Sequence, residues 1–288
     1  MLKSYRLAVL VFTLSYILPI TAENTRYMAD IDKSVWHVST SKLECKLNHS
    51  IPEYGFIEFF KEAGEPESSE LQLLYPRFVA HERAELYFTN PGWQPSVKTK
   101  EGWKFQMQAI TEPIELSNRQ TRQLLDNLAK GYQPVIYHNE NTDRRNDVYA
   151  IISPVMFRAQ YATYTQCIAA MIPVSWDRIR KSDLNFETGS ARLSRKSKRW
   201  LEYVLEYARD PAVRKIELTG YTDSIGNFRA NHQLASSRVE MVRNYLVNAG
   251  FDERKLRLKV YGEQHAQHTN NSKEGRAKNR RVEIKMYR

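Results

Sequence analysis

Cysteine is nearly absent: only Cys45 and Cys167 occur in 288 residues. Any covalent framework is therefore limited to a single bridge. The signatures of familiar chemistries are missing too. There is no Gly-Xaa-Ser-Xaa-Gly elbow, no P-loop and no cysteine in a catalytic setting. No pair of carboxylates singles itself out for glycoside cleavage. His265 and His268 lie three apart beside Asn270 and Asn271, without an acidic or thiolate companion, so no metal site and no cofactor is read there. Internal repeats and low-complexity tracts are lacking. These absences point away from an enzyme and toward a binding or structural protein.

One long apolar run opens the chain, from Leu7 to Ile20, behind Lys3 and Arg6 and ahead of Thr21-Ala22. It falls short of the roughly 20 residues that span a bilayer. The layout is that of a signal peptide, with cleavage expected after Ala22. The run ends without a Cys, so a lipid anchor is not expected there. It contains no Asp or Glu, which argues against a channel-forming stator subunit, since that needs an ionisable group inside the membrane. An exported chain with an even cysteine count is expected to bridge Cys45 to Cys167. Closing a loop that long is worth about 4–5 kcal/mol in the chain-entropy model.

Charge is unevenly spread. Residues 23–174 hold 16 Lys/Arg against 19 Asp/Glu, and residues 175–288 hold 25 against 14. The basic C-terminal half implies an anionic partner, and export argues against nucleic acid. Pro173–Arg180 is the expected boundary, giving a signal segment 1–22, a β-rich domain 23–174 and a second domain 175–288. The first domain reads as short strands at Trp36–Val38, Lys42–Leu47, Gly55–Phe60, Leu71–Tyr75, Ala84–Phe88, Lys104–Ala109, Gln133–Tyr137 and Val148–Ile152. One helix, Ser117–Ala129, interrupts them, and Val155–Ile168 reads as a further strand or a pair of short ones. That pattern predicts an antiparallel sandwich or small barrel. The strands are too short and too often broken by Glu58, Lys61, Glu85 and Lys104 for a membrane barrel. The second domain alternates strand and helix, predicting a two-layer α/β unit. The whole chain is thus expected to be a two-domain α+β protein.

The stretch KIELTGYTDSIGNFRANHQLASSR, Lys215–Arg238, organises that second domain. It begins as a strand, in which Ile216, Leu218 and Gly220 alternate with Glu217 and Thr219. It ends as a helix, with Ala230, Leu234, Val239 and Val242 at helical spacing. Asp223 sits in the turn between them, where α/β folds commonly place ligands. Taken alone, Asp223 is equally a turn residue that satisfies nearby backbone N–H groups. Arg195, Lys196, Lys198 and Arg199 form a basic cluster read as a solvated helix face.

TGYTDSIGNFRANHQLASSR, together with Val260–Glu263 (VYGE) and Gly275–Ile284 (GRAKNRRVEI), resembles the peptidoglycan-binding core of OmpA-like domains. The resemblance covers about Leu184–Tyr287, with Tyr221 where that family usually has His and Ala235 where it usually has Ser. It implies that Asp223 takes the ammonium of a diaminopimelate in the wall's stem peptide, and that Arg238 takes a carboxylate. It also implies that Asn231 braces the turn or touches the stem. Of Arg280 and Arg281, one is expected to line the pocket and the other to sit on the surface. The layout of the whole chain resembles the MotY family of sodium-driven polar flagellar motors. That implies a periplasmic T-ring component whose N-terminal half binds the basal body and MotX, and whose C-terminal half grips peptidoglycan to hold the stator complex. The alternatives are a general OmpA-like envelope tether and a cell-wall hydrolase.

Overall fold

The computed structural model describes residues 24–74, 83–94, 98–106, 114–141 and 145–288. The signal segment lies outside them, as do Tyr75 and residues 107–109 of two expected strands.

Two five-stranded sheets build the N-terminal half. The first is β2 (Trp36–Thr40), β3 (Glu44–Ile51), β4 (Gly55–Glu62), β5 (Glu67–Leu73) and β8 (Ile114–Leu116), in that order. The second runs β1 (Asn24–Tyr27), β10 (Arg145–Ile151), β9 (Gln133–Asn141), β6 (Arg83–Thr89) and β7 (Thr99–Gln106). All pairings are antiparallel except β1 with β10. Strict alternation fixes the inward face: Cys45, Leu47, His49 and Ile51 are buried along β3, and Ile57 and Phe59 along β4. One core joins both sheets with α1 (Asn118–Ala129) and α2 (Phe157–Ala170).

The second helix replaces the strand expected over Val155–Ile168. Phe157, Tyr164 and Cys167 are its buried residues, at helical spacing on one stripe. Its tyrosines and threonines favour strands as isolated residues, and the stripe overrides them. Cys167 on this helix is bridged to Cys45 on β3, with Cα atoms 6.0 Å apart and a sequence separation of 122.

His49 is fully buried beneath this core. Its ring stacks on Trp36 at 4.7 Å, its Nδ1 is 2.9 Å from the Val35 carbonyl, and the Ser153 N–H donates to Nε2 at 3.4 Å. Those two contacts suit the neutral Nδ1–H tautomer. Burial lowers the pKa from its ordinary 6.5. Above pH 6.5 the ring is neutral in both folded and unfolded chains, and this group adds no pH dependence. Below it the unfolded chain takes up a proton that the folded one refuses, so stability falls as pH drops toward the lowered folded value. Thermal melts are expected to shift down between pH 6.5 and 5, and His49→Gln should flatten that slope.

In the C-terminal half, a four-stranded sheet runs β11 (Lys181–Asn185), β14 (Arg281–Tyr287), β12 (Lys215–Tyr221) and β13 (Leu256–Gly262). On one face lie α4 (Arg195–Ala208) and α5 (Phe228–Asn248); α3 (Trp176–Ile179) precedes the sheet and α6 (Lys273–Asn279) leads into β14. Ile216, Leu218, Val282 and Ile284 pack there against Leu201, Val204, Val239 and Val242. Gly220 sets how closely α5 can approach. A Cβ on it would lie 2.6 Å from Val239 Cγ2 and 2.7 Å from the Ala235 carbonyl oxygen.

The two halves are not separate bodies joined by a free linker. Ala63, Ile172 and Val174 belong to the C-terminal core. Tyr207 Oη donates to the Val174 carbonyl at 2.7 Å, and Lys42 pairs with Glu206 at 2.9 Å.

Candidate functional site

The loop after β12 carries Asp223 to the end of the sheet. Its Oδ1 accepts from the Ile225 N–H at 3.3 Å, so Asp223 does shape its own turn. Gly226, at φ +105°, lets the chain swing into α5, and Asn227 caps that helix by accepting from the Ala230 N–H at 2.9 Å. The turn is held from behind. Asn231 is buried, and its Nδ2 donates to Glu263 Oε2 at 2.5 Å. The Thr222 N–H donates to the Gly262 carbonyl at 2.7 Å. Asn231 thus ties the start of α5 to Glu263, next to the Gly262 that holds Thr222.

Asp223 does not stand alone. Its Oδ2 accepts from Arg280 Nη1 at 2.9 Å, with only 6 % of the Asp223 side chain and 11 % of the Arg280 side chain exposed. Arg280 is the C-cap of α6. Its Nε donates to the Phe186 carbonyl at 3.1 Å, and the Phe186 N–H donates back to the Arg280 carbonyl at 2.9 Å. Two lone-pair positions of the Asp223 carboxylate are thus taken, and a carboxylate has about four.

The resemblance implies that Arg238 takes a ligand carboxylate, and the structure engages its guanidinium with the protein's own backbone. Arg238 is fully buried. Its Nε donates to the Ser190 carbonyl at 2.9 Å, its Nη1 to Tyr221 at 3.1 Å and its Nη2 to Glu187 at 3.1 Å. Its guanidinium lies over the Phe186 ring, 5.2 Å from the centroid. The cause is the depth of α5: the close Gly220 contact drives this face of the helix into the sheet end. Burial lowers the Arg238 pKa to about 10, Asp223 opposes that shift, and Arg280 adds to it. The side chain remains a cation at neutral pH. It ties the 187–190 segment to the end of β12.

Arg281 also departs from expectation. It is buried, not on the surface. Val282 and Ile284 enter the helix-facing core, so Arg281 and Glu283 alternate to the other face of the sheet. The Arg281 guanidinium lies over the Tyr221 ring at 3.9 Å, and its Nε is 3.8 Å from Asp183 Oδ1. None of its three nitrogens makes a hydrogen bond. Tyr221 stacks in turn on Tyr261 at 5.7 Å. The substitution of tyrosine for the usual histidine is thus absorbed by a stacked layer behind the sheet, away from the Asp223 turn.

Asp223, Arg238 and Arg280 therefore form one cluster of one negative and two positive charges. Beside it opens a cleft of about 530 Å³, lined by Phe186, Glu187, Ser190, Arg192, Ser194 and Arg280 among others. Sequence reasoning missed the 186–194 wall, because no spacing motif links it to Asp223. Its only sequence signal is the Gly189-Ser190 turn ahead of the Ser194 cap of α4.

Comparison with known proteins agrees with this two-part layout. Residues 27–173 match the model of the MotY N-terminal domain, and residues 185–280 match that of the OmpA family. The sodium-type flagellar protein MotY of Vibrio parahaemolyticus is 26 % identical over 266 residues, covering 91 % of this chain and 90 % of that protein. Outer membrane protein A of Bordetella avium is 32 % identical over 114 residues, covering 40 % of this chain and 59 % of that protein. Among solved structures, the C-terminal domain of Helicobacter pylori MotB is 26 % identical, covering 37 % of this chain and 84 % of that one, with a TM-score of 0.35.

Proposed function

The chain belongs to the MotY N-terminal domain family, whose model matches just over half of it, and from that membership we propose a periplasmic component of the sodium-driven polar flagellar motor. Residues 175–288 grip peptidoglycan without a covalent bond. Residues 23–174 bind the basal body and MotX. Together they hold stator units stationary against rotor torque. The observation that carries the wall-binding half is the Asp223–Arg280 pair at 2.9 Å, whose Arg280 lines a cleft in the part that matches the OmpA family.

The chemistry suits a zwitterionic ligand. Diaminopimelate in a stem peptide offers an ammonium and carboxylates. The free lone pairs of Asp223 accept from the ammonium, and a guanidinium of the cluster donates to a carboxylate. The single contact is modest, and many copies around a ring add avidity. The basic balance of residues 175–288 favours the same anionic polymer.

Complementation of a deletion strain tests the division of labour. Full-length wild type should restore swimming and co-purify with basal bodies. Asp223→Asn should still co-purify but swim poorly, because the ring is present while its wall grip is weakened. Wild-type protein missing from basal bodies, or full motility with Asp223→Asn, would sink the reading.

A further inference from the structure

We propose that the free edge of β11 takes an extended acidic segment of a partner protein as a fifth strand of the C-terminal sheet. The site runs along the side of the sheet, whereas Asp223 lies at its end. The proposal does not depend on the wall-binding reading.

The backbone carries the first part of the argument. β11 ends the sheet order, with β14 as its neighbour on one side. The Met286 N–H donates to the Arg180 carbonyl at 2.8 Å, and the Phe186 N–H donates to the Arg280 carbonyl at 2.9 Å. In an antiparallel pair, residues alternate between bonding their neighbour and turning both backbone groups away from it. Arg180, Ser182, Leu184 and Phe186 thus face β14. Lys181, Asp183 and Asn185 turn their N–H and C=O groups to the open side, where no hydrogen bond engages them among the described residues. A row of unpaired groups at strand spacing is a template for one more strand.

A groove of about 420 Å³ runs beside that row. All five residues of β11 line it, with Arg178 from α3 and Lys196, Ser197 and Trp200 from α4. Trp200 is half-buried there. Its indole N–H donates to Ser182 Oγ at 2.9 Å, and the Arg178 guanidinium lies 5.8 Å from its ring centroid. The ring offers an apolar wall to alternate side chains of an incoming strand. The rim is basic. Arg178, Lys181 and Lys196 line the groove, and Arg195, Lys198 and Arg199 continue the charge along α4; all six are exposed. Asp183, the acidic residue in the lining, has its carboxylate 3.8 Å from Arg281 Nε. These cations turn away basic strands and a second copy of the same edge. By the same charges they select an acidic strand. The basic cluster that opens α4 thereby gains a role beyond solvation.

Fluorescence anisotropy of the full-length protein with labelled synthetic octapeptides tests this. One alternates Glu and Val, a second alternates Lys and Val, and a third is the Glu peptide N-methylated at its two central residues, which blocks both of its edges. Wild type is expected to bind the Glu peptide and to bind each of the other two about 10-fold or more weakly, the scale of a few lost hydrogen bonds or ion pairs. Asp183→Pro removes an outward N–H and no bond to β14, a place where an edge strand accepts proline. It should weaken the Glu peptide by a similar factor. Lys196→Glu is an exposed change and should also weaken it, so the charge argument stays testable even if Asp183→Pro lowers the melting temperature. No binding of the Glu peptide by wild type, or equal binding of all three peptides, would overturn the proposal. So would a wild type that sediments as a dimer and becomes monomeric on Asp183→Pro, since the edge would then belong to a second copy of this chain.

Discussion

Arg238→Ala is expected to unfold or severely loosen the C-terminal half. The substitution removes three hydrogen bonds from a cation, to the carbonyls of Ser190, Tyr221 and Glu187, and leaves a void over Phe186. Losses of this kind combine to about 3–5 kcal/mol, at the upper end of single-site effects. For a unit of roughly 100 residues that is a fall in melting temperature of more than about 10 °C. Arg238→Lys should recover little, since a point charge on a flexible stem cannot reach three separate carbonyls. Circular-dichroism melts of both variants give the answer. A wild-type melting temperature for Arg238→Ala would mean that the guanidinium is not buried as described. The practical consequence is sharp: loss of wall binding in this variant reports lost structure, and says nothing about which group meets the ligand.

Removing the disulfide is expected to have an effect of similar size in the other half. The Cys45–Cys167 bridge closes a loop of 122 residues. The chain-entropy model gives about 4–5 kcal/mol for such a loop, and engineered cases often yield less. Both sulfurs are buried in the core that joins β3 to α2. Serine at both positions therefore also leaves two hydroxyls in an apolar setting. The double variant should melt well below wild type. Thiol titration of the unreduced, denatured wild type should find no free cysteine. Two free thiols, or an unchanged melt in the double variant, would contradict the structural role of the bridge.

How much of this was legible in the sequence differs between the halves. In the C-terminal half, alternation in KIELTGY and helical spacing after Phe228 located β12 and α5 closely. Asp223 was legible as a turn residue because the turn is local. Arg238 was legible as a partner of the site but not as a buried group. A motif records order along the chain, whereas burial depends on how far α5 sinks onto Gly220. The Arg281–Tyr221 stack depends on β14 lying beside β12, a pairing between distant segments. In the N-terminal half, strongly alternating strands such as β3 and β4 were readable. The helix at Phe157–Ala170 was not, because its exposed side carries Ala159, Ala162, Ala169 and Ala170, small apolar residues that blur the stripe of Phe157, Tyr164 and Cys167. The short β1 and β8 gave too few residues for any period to show.

The central claim is that the Asp223 cluster holds the cell wall. Co-sedimentation of the full-length protein with purified sacculi tests it most directly, run for wild type and for Asp223→Asn. The asparagine keeps the size of the side chain and the turn contact to Ile225, and removes the charge. Wild type should pellet and be released by excess free stem tripeptide, while Asp223→Asn should need about 10-fold more wall material to pellet equally. Equal pelleting of the two proteins, or a wild type that stays in the supernatant, would contradict the claim.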